Sequence, residues 1–345
     1  MKPTIYDIAR AAGVSTATVS KVMNNKGKIS EKTRSKIKRI MQEQRYEPSV
    51  MASAMKGKGT RTIAFIIPDI DNPIYAEYLK RIEACGHELG YTIVMATTER
   101  DPEKEERHLS LLRSKVDGYI IAARFSNLGL LKALIEDGVP IALFSHERDE
   151  LSVDSVTVDD YLGGYRATEY LIELGHARIG MVGEDTISSQ ERIRGYRQAL
   201  RDSGIKTEES LIRVGGHTID GAAEQAGHLL ERADRPTAIF GYNDICAVGA
   251  MLAARARGIR MPDELSVIGF DDTMLCHIVE PKLSSVSMPT QEMGDQVVNL
   301  LIRRIEDADM PKQRLRLLPE LALRGSTSRP GGDEAIERSG RPAGL

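Results

Sequence analysis

The chain has 345 residues, with 47 Lys and Arg against 50 Asp and Glu and a net charge of −3, a length that allows two or three domains with a sizeable core. No apolar run approaches the roughly 20 residues of a membrane span, and Met1-Lys2-Pro3-Thr4 leads into a helical pattern without the apolar core of an export signal. Three cysteines without paired spacing, Cys85, Cys246 and Cys276, argue against a disulfide framework and for reduced thiols in a cytoplasmic compartment.

The overall balance conceals a division. The first 61 residues hold 14 of the basic and 4 of the acidic side chains, a net +10, which leaves −13 for the remainder. A basic module on an acidic body attracts a polyanion at one end and repels it elsewhere.

The basic module reads as three short helices. The first runs from about Ile5 to Ala11, with Ile5, Ile8, Ala9 and Ala12 spaced to bury one face. Gly13 suits the left-handed residue that closes it. Ser15 is an N-cap for the second helix, and Val14 and Val19 form a hydrophobic staple across that cap. Val19, Val22 and Met23 then face inward, leaving Thr16, Ala17, Ser20 and Lys21 outward near the helix start. A third helix begins at Ile29-Ser30 and buries Ile37, Ile40 and Met41, with Lys32, Arg34, Lys36, Lys38 and Arg39 on its open face. Two helices joined by a glycine-bearing turn in a basic segment are a helix-turn-helix built to touch DNA.

Pro48–Gly59 follows as a linker. Ser49 can cap a short helix over about Val50–Met55, and Gly57 and Gly59 end it; six residues are too few to hold a helix in isolation.

From Thr62 onward, β-rich runs alternate with helical patterns. Strands are expected at Thr62–Ile67, Tyr91–Ala96, Gly118–Ala122, Ile141–Phe144, Ile179–Val182, Leu211–Val214, Ala238–Phe240 and Ser266–Phe270. Helices are expected at about Ile74–Leu89, Glu103–Lys115, Leu128–Asp137, Leu162–Leu174, Gln190–Ser203, Asp220–Glu231, Asp244–Arg257 and Gln291–Glu306. Such alternation implies parallel sheets with helices on both faces. Strand–helix units on both sides of Val158-Asp159-Asp160 imply two similar lobes, and ligands of such folds bind beyond the carboxyl ends of the strands. Strands near Leu315–Leu323 are expected to cross back between lobes. The segment from Ser326 onward is rich in Gly, Pro and charge and reads as disordered. It lacks the leucine heptads of a tetramerising coiled coil.

No Gly-x-Gly-x-x-Gly turn, Walker loop, Gly-x-Ser-x-Gly elbow or His-Glu-x-x-His occurs. The seven histidines are scattered without metal-ligand spacing, and His87, His108, His176 and His228 read as surface or capping residues. The expectation is therefore a protein that is not an enzyme and that uses no metal or cofactor.

The run Thr4–Asn24, the helix start Ser30-Glu31-Lys32-Thr33-Arg34 and Tyr46-Glu47-Pro48-Ser49 resemble the lactose/purine-repressor (LacI/GalR) family, and the likeness extends to about Arg324. The resemblance implies an all-α helix-turn-helix domain at 1–47, a hinge at 48–61 and an α/β, two-lobed, periplasmic-binding-protein-like body at 62–325. The N-lobe would span about 62–160 plus 290–320, and the C-lobe 161–289 plus 321–325, followed by a tail at 326–345. It implies that Thr16, Ala17 and Lys21 meet bases in the major groove, Lys21 donating to guanine without arginine's bidentate fork. Thr4, Ser15, Ser20, Asn24, Ser30 and Thr33 match positions that hold phosphates, contacts that fix register. Met55 stands where the family's minor-groove wedge is usually leucine.

In the body, the resemblance places an effector, a sugar in the likelier case, among Asn72, Tyr75, Ser145, Gln190, Arg192, His217, Asn243 and Asp271. Arg192 and Asp271 match the family's effector-holding arginine and hydroxyl-accepting carboxylate. Two departures concern the effector: Ser145-His146 replaces a common aspartate after Phe144, and His217 sits near a usual aromatic. The implied protein is a repressor of a pseudo-palindromic operator, working as a homodimer whose face is the outer side of the helix near Ile74. A purine-like corepressor is the alternative effector. A solute-binding protein or a sugar enzyme without a DNA role are rivals, opposed by the basic module and the missing phosphate loop.

Overall fold

The computed structural model describes residues 3–23, 27–46 and 59–331. Residues up to Arg61 and those from Thr62 onward form two separate compact units.

In the first unit, helices α1 (Ile5–Ala12), α2 (Thr16–Met23) and α3 (Glu31–Glu43) enclose a core of Ile8, Ala9, Ala12, Val19, Val22, Ile37 and Ile40. Each boundary has a local cause. The Thr4 backbone N–H and hydroxyl both donate to Asp7 Oδ2, at 2.9 and 2.6 Å, closing a box at the start of α1. Gly13, at φ 67, ends it in the left-handed conformation. Ser15 accepts from the Thr18 N–H at 3.2 Å, and Ser30 from that of Thr33 at 3.3 Å. Val14 packs on the cluster that buries Val19.

The second unit contains two six-stranded sheets. The first takes β1 (Thr62–Ile67), β2 (Thr92–Thr97), β3 (Gly118–Ile121), β4 (Ile141–Phe144), β5 (Asp154–Val158) and β11 (Arg314–Leu317), in the all-parallel order β11-β5-β4-β3-β1-β2. The second takes β6 (Ile179–Gly183), β7 (Ile212–Val214), β8 (Ala238–Gly241), β9 (Ser266–Asp271), β10 (Ser284–Ser287) and β12 (Glu320–Ala322), in the order β12-β10-β9-β8-β6-β7. Only β12 runs antiparallel to its neighbour in this sheet. Central strands are apolar on both faces, as in Thr62-Ile63-Ala64-Phe65-Ile66-Ile67, where all but Thr62 are buried, because helices cover both sides.

Those helices are α4 (Ile74–Glu88), α5 (Pro102–Leu112), α6 (Leu128–Glu136), α7 (Asp160–Glu173), α8 (Ile187–Asp202), α9 (Ile219–Leu230), α10 (Asp244–Ala256), the short α11 (Leu275–Ile278) and α12 (Thr290–Glu306). The chain passes between the sheets three times: after β5, after β10, and between β11 and β12. Helix α12 packs on α4, β3, β4 and β5 of the first lobe.

Strands β5 and β10 lie outside the expected set. Their sequences, Asp154-Ser155-Val156-Thr157-Val158 and Ser284-Ser285-Val286-Ser287, are too polar to signal a buried strand, yet eight of these nine residues are buried. The polar side chains find distant partners. Arg304 grips Asp154 with Nε at 2.9 Å from Oδ2 and Nη2 at 3.2 Å from Oδ1, and the Gln313 N–H donates to Oδ1 at 2.8 Å. Ser285 donates to Asp244 at 2.6 Å.

Two further expectations are corrected. The tail does not begin as disordered chain at Ser326. That side chain is fully buried, donating to the Val267 carbonyl at 2.6 Å and accepting from the Ser284 N–H at 2.8 Å. His176 is no surface residue: it is 2 % exposed, with Nδ1 2.9 Å from Thr237 Oγ1 and Nε2 2.9 Å from the Ser328 carbonyl. Among the described residues, no helix is long and apolar enough to cross a membrane.

Candidate functional site

On α2, Ala17 and Lys21 are exposed and Thr16 and Ser20 half-buried, while Val19 and Val22 point to the core. The open face of this helix therefore presents small neutral side chains, with the basic Lys21 in its last turn. Thr4, Ser15, Ser30 and Thr33 serve in caps and helix starts. Asn24 and the hinge with Met55 lie outside the described residues.

In the body, the loops after the strands of both sheets surround a cavity of about 730 Å³. Asn72, Tyr75, Ser145, Arg192, His217, Asn243 and Asp271 all line it. Arg192 is its best-anchored member, 3 % exposed. Its Nε donates to Asp160 at 2.8 Å, its Nη1 to the Tyr242 carbonyl at 2.6 Å and to Asp271 Oδ1 at 3.5 Å. The guanidinium carbon lies over the Phe270 ring, 3.4 Å from its centroid, a cation–π contact that helps hold it in place. Close helix packing sets its height: a Cβ on Gly164 of α7 would overlap the Arg192 backbone on α8, and one on Gly195 would overlap the Tyr161 carbonyl.

Asp271 is 5 % exposed and closes β9 at φ 107, followed by Asp272 at φ 59. Two consecutive non-glycine residues at positive φ store local strain at a site that turns a carboxylate into the cavity. Burial pushes the Asp271 carboxyl up to about 8, against the opposing charge of Arg192. Asn243 caps α10, accepting from the Cys246 N–H at 2.9 Å. Asn72 accepts from the Ile74 N–H at 3.1 Å at the start of α4. Ser145 adopts φ 64. Next to it, His146 places Nδ1 3.1 Å from the Phe144 carbonyl, and burial lowers this imidazole to about 4. The neutral ring thus donates through Nδ1 and leaves Nε2 as an acceptor.

Gln190 is the exception among the expected contacts. It is exposed, 3.5 Å from Asp185, and is not part of the cavity wall. Two residues along a helix rotate a side chain by about 200°, so α8 cannot aim both Gln190 and Arg192 inward. Several wall residues had no sequence signal. Arg100 reaches Asp69 at 3.3 Å and Glu184 at 3.5 Å, and Glu184 also meets His217 at 3.3 Å. Behind the wall, Asp160 marks only a lobe boundary in the sequence; that this acid in the first turn of α7 faces Arg192 is visible only once α7 and α8 are packed.

A family model described as bacterial regulatory proteins, lacI family, matches residues 4–49, and one described as a periplasmic binding protein-like domain matches residues 168–327. The chain is 44% identical over 334 residues to the HTH-type transcriptional regulator DegA of Bacillus subtilis (strain 168), covering 95% of this chain and 99% of that one. The chain belongs to the lacI family of bacterial regulatory proteins. It is 33% identical over 331 residues to the catabolite control protein A of Priestia megaterium, covering 95% and 100% of the two chains. Among solved structures, this lacI-family chain matches the lac repressor dimer bound to operator and the anti-inducer ONPF, with TM-score 0.83 and 25% identity over 95% of this chain and all of that one. It matches the transcriptional regulator CelR in complex with cellobiose with TM-score 0.73 and 32% identity, covering 94% and 99%. It is thus a helix-turn-helix transcriptional repressor with a ligand-binding body.

Proposed function

We propose that this lacI-family protein is a cytoplasmic homodimer that holds a pseudo-palindromic operator and alters its grip when a sugar occupies the cleft between the lobes. The observation that carries the effector half of this reading is the buried Arg192–Asp271 contact in the cavity wall. A guanidinium and a carboxylate held together in a polar cleft supply donors and acceptors for ring hydroxyls. Asn72, Asn243 and Ser145 add neutral polar groups around them, and Tyr75 a face for stacking.

For the operator, Lys21, Thr16 and Ala17 contact base edges, and Thr4, Ser15, Ser20, Ser30 and Thr33 hold phosphates, as does Asn24. Met55 is the proposed minor-groove wedge. The dimer reading is supported by apolar side chains left open on both lobes, Ile70, Val94 and Met95 on the first and Leu252, Met274 and Ile278 on the second. Helix α4, whose outer side is the proposed dimer face, packs beside the edge strand β2 that carries two of them.

Effector control follows from a difference in affinity between lobe arrangements, and it is reciprocal: operator changes effector affinity by the factor by which effector changes operator affinity. The test is binding of the full chain to a palindromic operator across a salt series, with Lys21→Ala beside it. Specific complexes that weaken steeply with salt, and a larger loss of specific than of non-specific binding in the variant, are expected. Absence of any specific complex at low salt overturns the repressor reading. Equal loss on both kinds of DNA moves Lys21 to the phosphate-contact class.

A further inference from the structure

Three acidic side chains of the cleft have cationic partners, while the buried Glu105 accepts from the Ser126 N–H. Asp271 faces Arg192, and Asp69 and Glu184 share Arg100. Two basic residues of the same wall are different. Arg124, in the loop after β3, and Arg148, in the loop after β4, both line the cavity, and among the described residues neither has a carboxylate within ion-pair distance. They belong to one locality, since both guanidiniums lie close enough to His146 to oppose its protonation. Ser145 and Tyr78 line the cavity beside His146, and burial together with the nearby Asp271 charge pushes the Tyr78 hydroxyl up. The wall of one cavity therefore carries a polar track made of the Arg192–Asp271 contact, Tyr78, Ser145, His146 and the two free arginines. At about 730 Å³ the cavity has room for a ligand that spans this track.

We propose that the effector is a sugar carrying a negatively charged group, with its ring hydroxyls on Asp271 and Arg192 and its charged group on Arg124 and Arg148. The inference rests on the reading of the cleft as a sugar site and adds to it the charge of the ligand. Guanidinium forks recognise carboxylates and phosphates alike in bidentate fashion. The shared chemistry is thus a sugar acid or a sugar phosphate, and His146 Nε2 is free to accept from a hydroxyl beside the charged group.

The experiment is titration calorimetry on the full chain with matched pairs: D-glucose, D-glucuronate and D-glucose 6-phosphate; D-galactose and D-galacturonate; D-ribose and D-ribose 5-phosphate. An anionic member should bind at least tenfold more tightly than its neutral parent, and whichever anion does so separates carboxylate from phosphate. In Arg124→Gln/Arg148→Gln that advantage should vanish, while circular dichroism and operator binding stay unchanged. A neutral parent that binds as tightly as its anion, or an anion that binds the double variant undiminished, overturns the inference and leaves the sugar site standing. If no member of the panel, charged or neutral, binds, the sugar reading of the cleft falls and takes the inference with it.

Discussion

Arg100 and Glu184 face each other from different lobes, with the guanidinium Nη2 3.5 Å from the Glu184 carboxylate and 3.3 Å from that of Asp69. Arg100 lies in the loop after β2, and Glu184 follows β6 in the other sheet. Glu99 and Arg100 both take left-handed backbone conformations, φ 51 and 60, a costly arrangement for non-glycine residues that turns the guanidinium across the cleft. The pair is a tie between lobes, and effector that enters the cleft must work with it or against it.

Arg100→Ala removes that tie and leaves the buried Glu184 with His217 alone. Because Arg100 is half-exposed, the coupling is screened, and a double-mutant cycle with Glu184→Gln should read about 1 kcal/mol. Urea unfolding supplies the cycle. A coupling indistinguishable from zero would mean that the tie does not hold the lobes.

The folded protein keeps on Asp271 a proton that the unfolded chain releases near its ordinary value of 3.8. This group's contribution to stability therefore falls as pH rises from 3.8 to about 8, and is level above. A ligand whose hydroxyls donate to this carboxylate prefers the ionised form. Effector affinity should then rise by up to about tenfold per pH unit below 8 and flatten above it. Calorimetry between pH 6 and 9 checks this, and a flat profile would remove Asp271 from the ligand's acceptors.

Arg304 and Asp154 form a buried ion pair between α12 and β5, with exposures of 3 % and 0 %. Arg304→Met leaves the carboxylate without its cation and should destabilise by about 3–5 kcal/mol. Adding Asp154→Asn should recover part of the loss. Unfolding midpoints of the two variants test it; a loss in Arg304→Met below about 1 kcal/mol would contradict the assignment.

Gly164→Ala forces α7 away from the backbone of Arg192. Overpacking of this kind costs about 1–3 kcal/mol, and the displaced Arg192 should also weaken effector binding. Unfolding and titration on the same variant measure both. A destabilised variant with unchanged effector affinity would show that α8 shifts without carrying Arg192 with it.

Legibility in the sequence followed the range of the interactions. Gly13, Ser15, Val14 and Val19 act within a few residues of one another, and their roles could be read directly. The apolar run Ile63–Ile67 announced a buried strand by itself. Strand β5 could not, because Asp154 is acceptable in a sheet only through Arg304, 150 residues away. The cleft divided in the same way. Arg192 and Asp271 sit in recognisable local motifs, whereas Arg100 reaches Glu184 only through a strained loop and Asp160 reaches Arg192 only after two helices pack. Gln190, two residues before Arg192, lies on another face of α8 and outside the cavity wall, a difference that the likeness of the segment does not reveal.

The three crossings between the sheets also order the protein's synthesis. The core of the first unit is drawn entirely from residues between Ile8 and Ile40, so its folding information is available as soon as that short stretch has left the ribosome. The first sheet waits for β11, ending at Leu317, and the second for β12, ending at Ala322. A growing chain therefore holds the whole of its DNA-reading unit long before it can build either half of the body that regulates it.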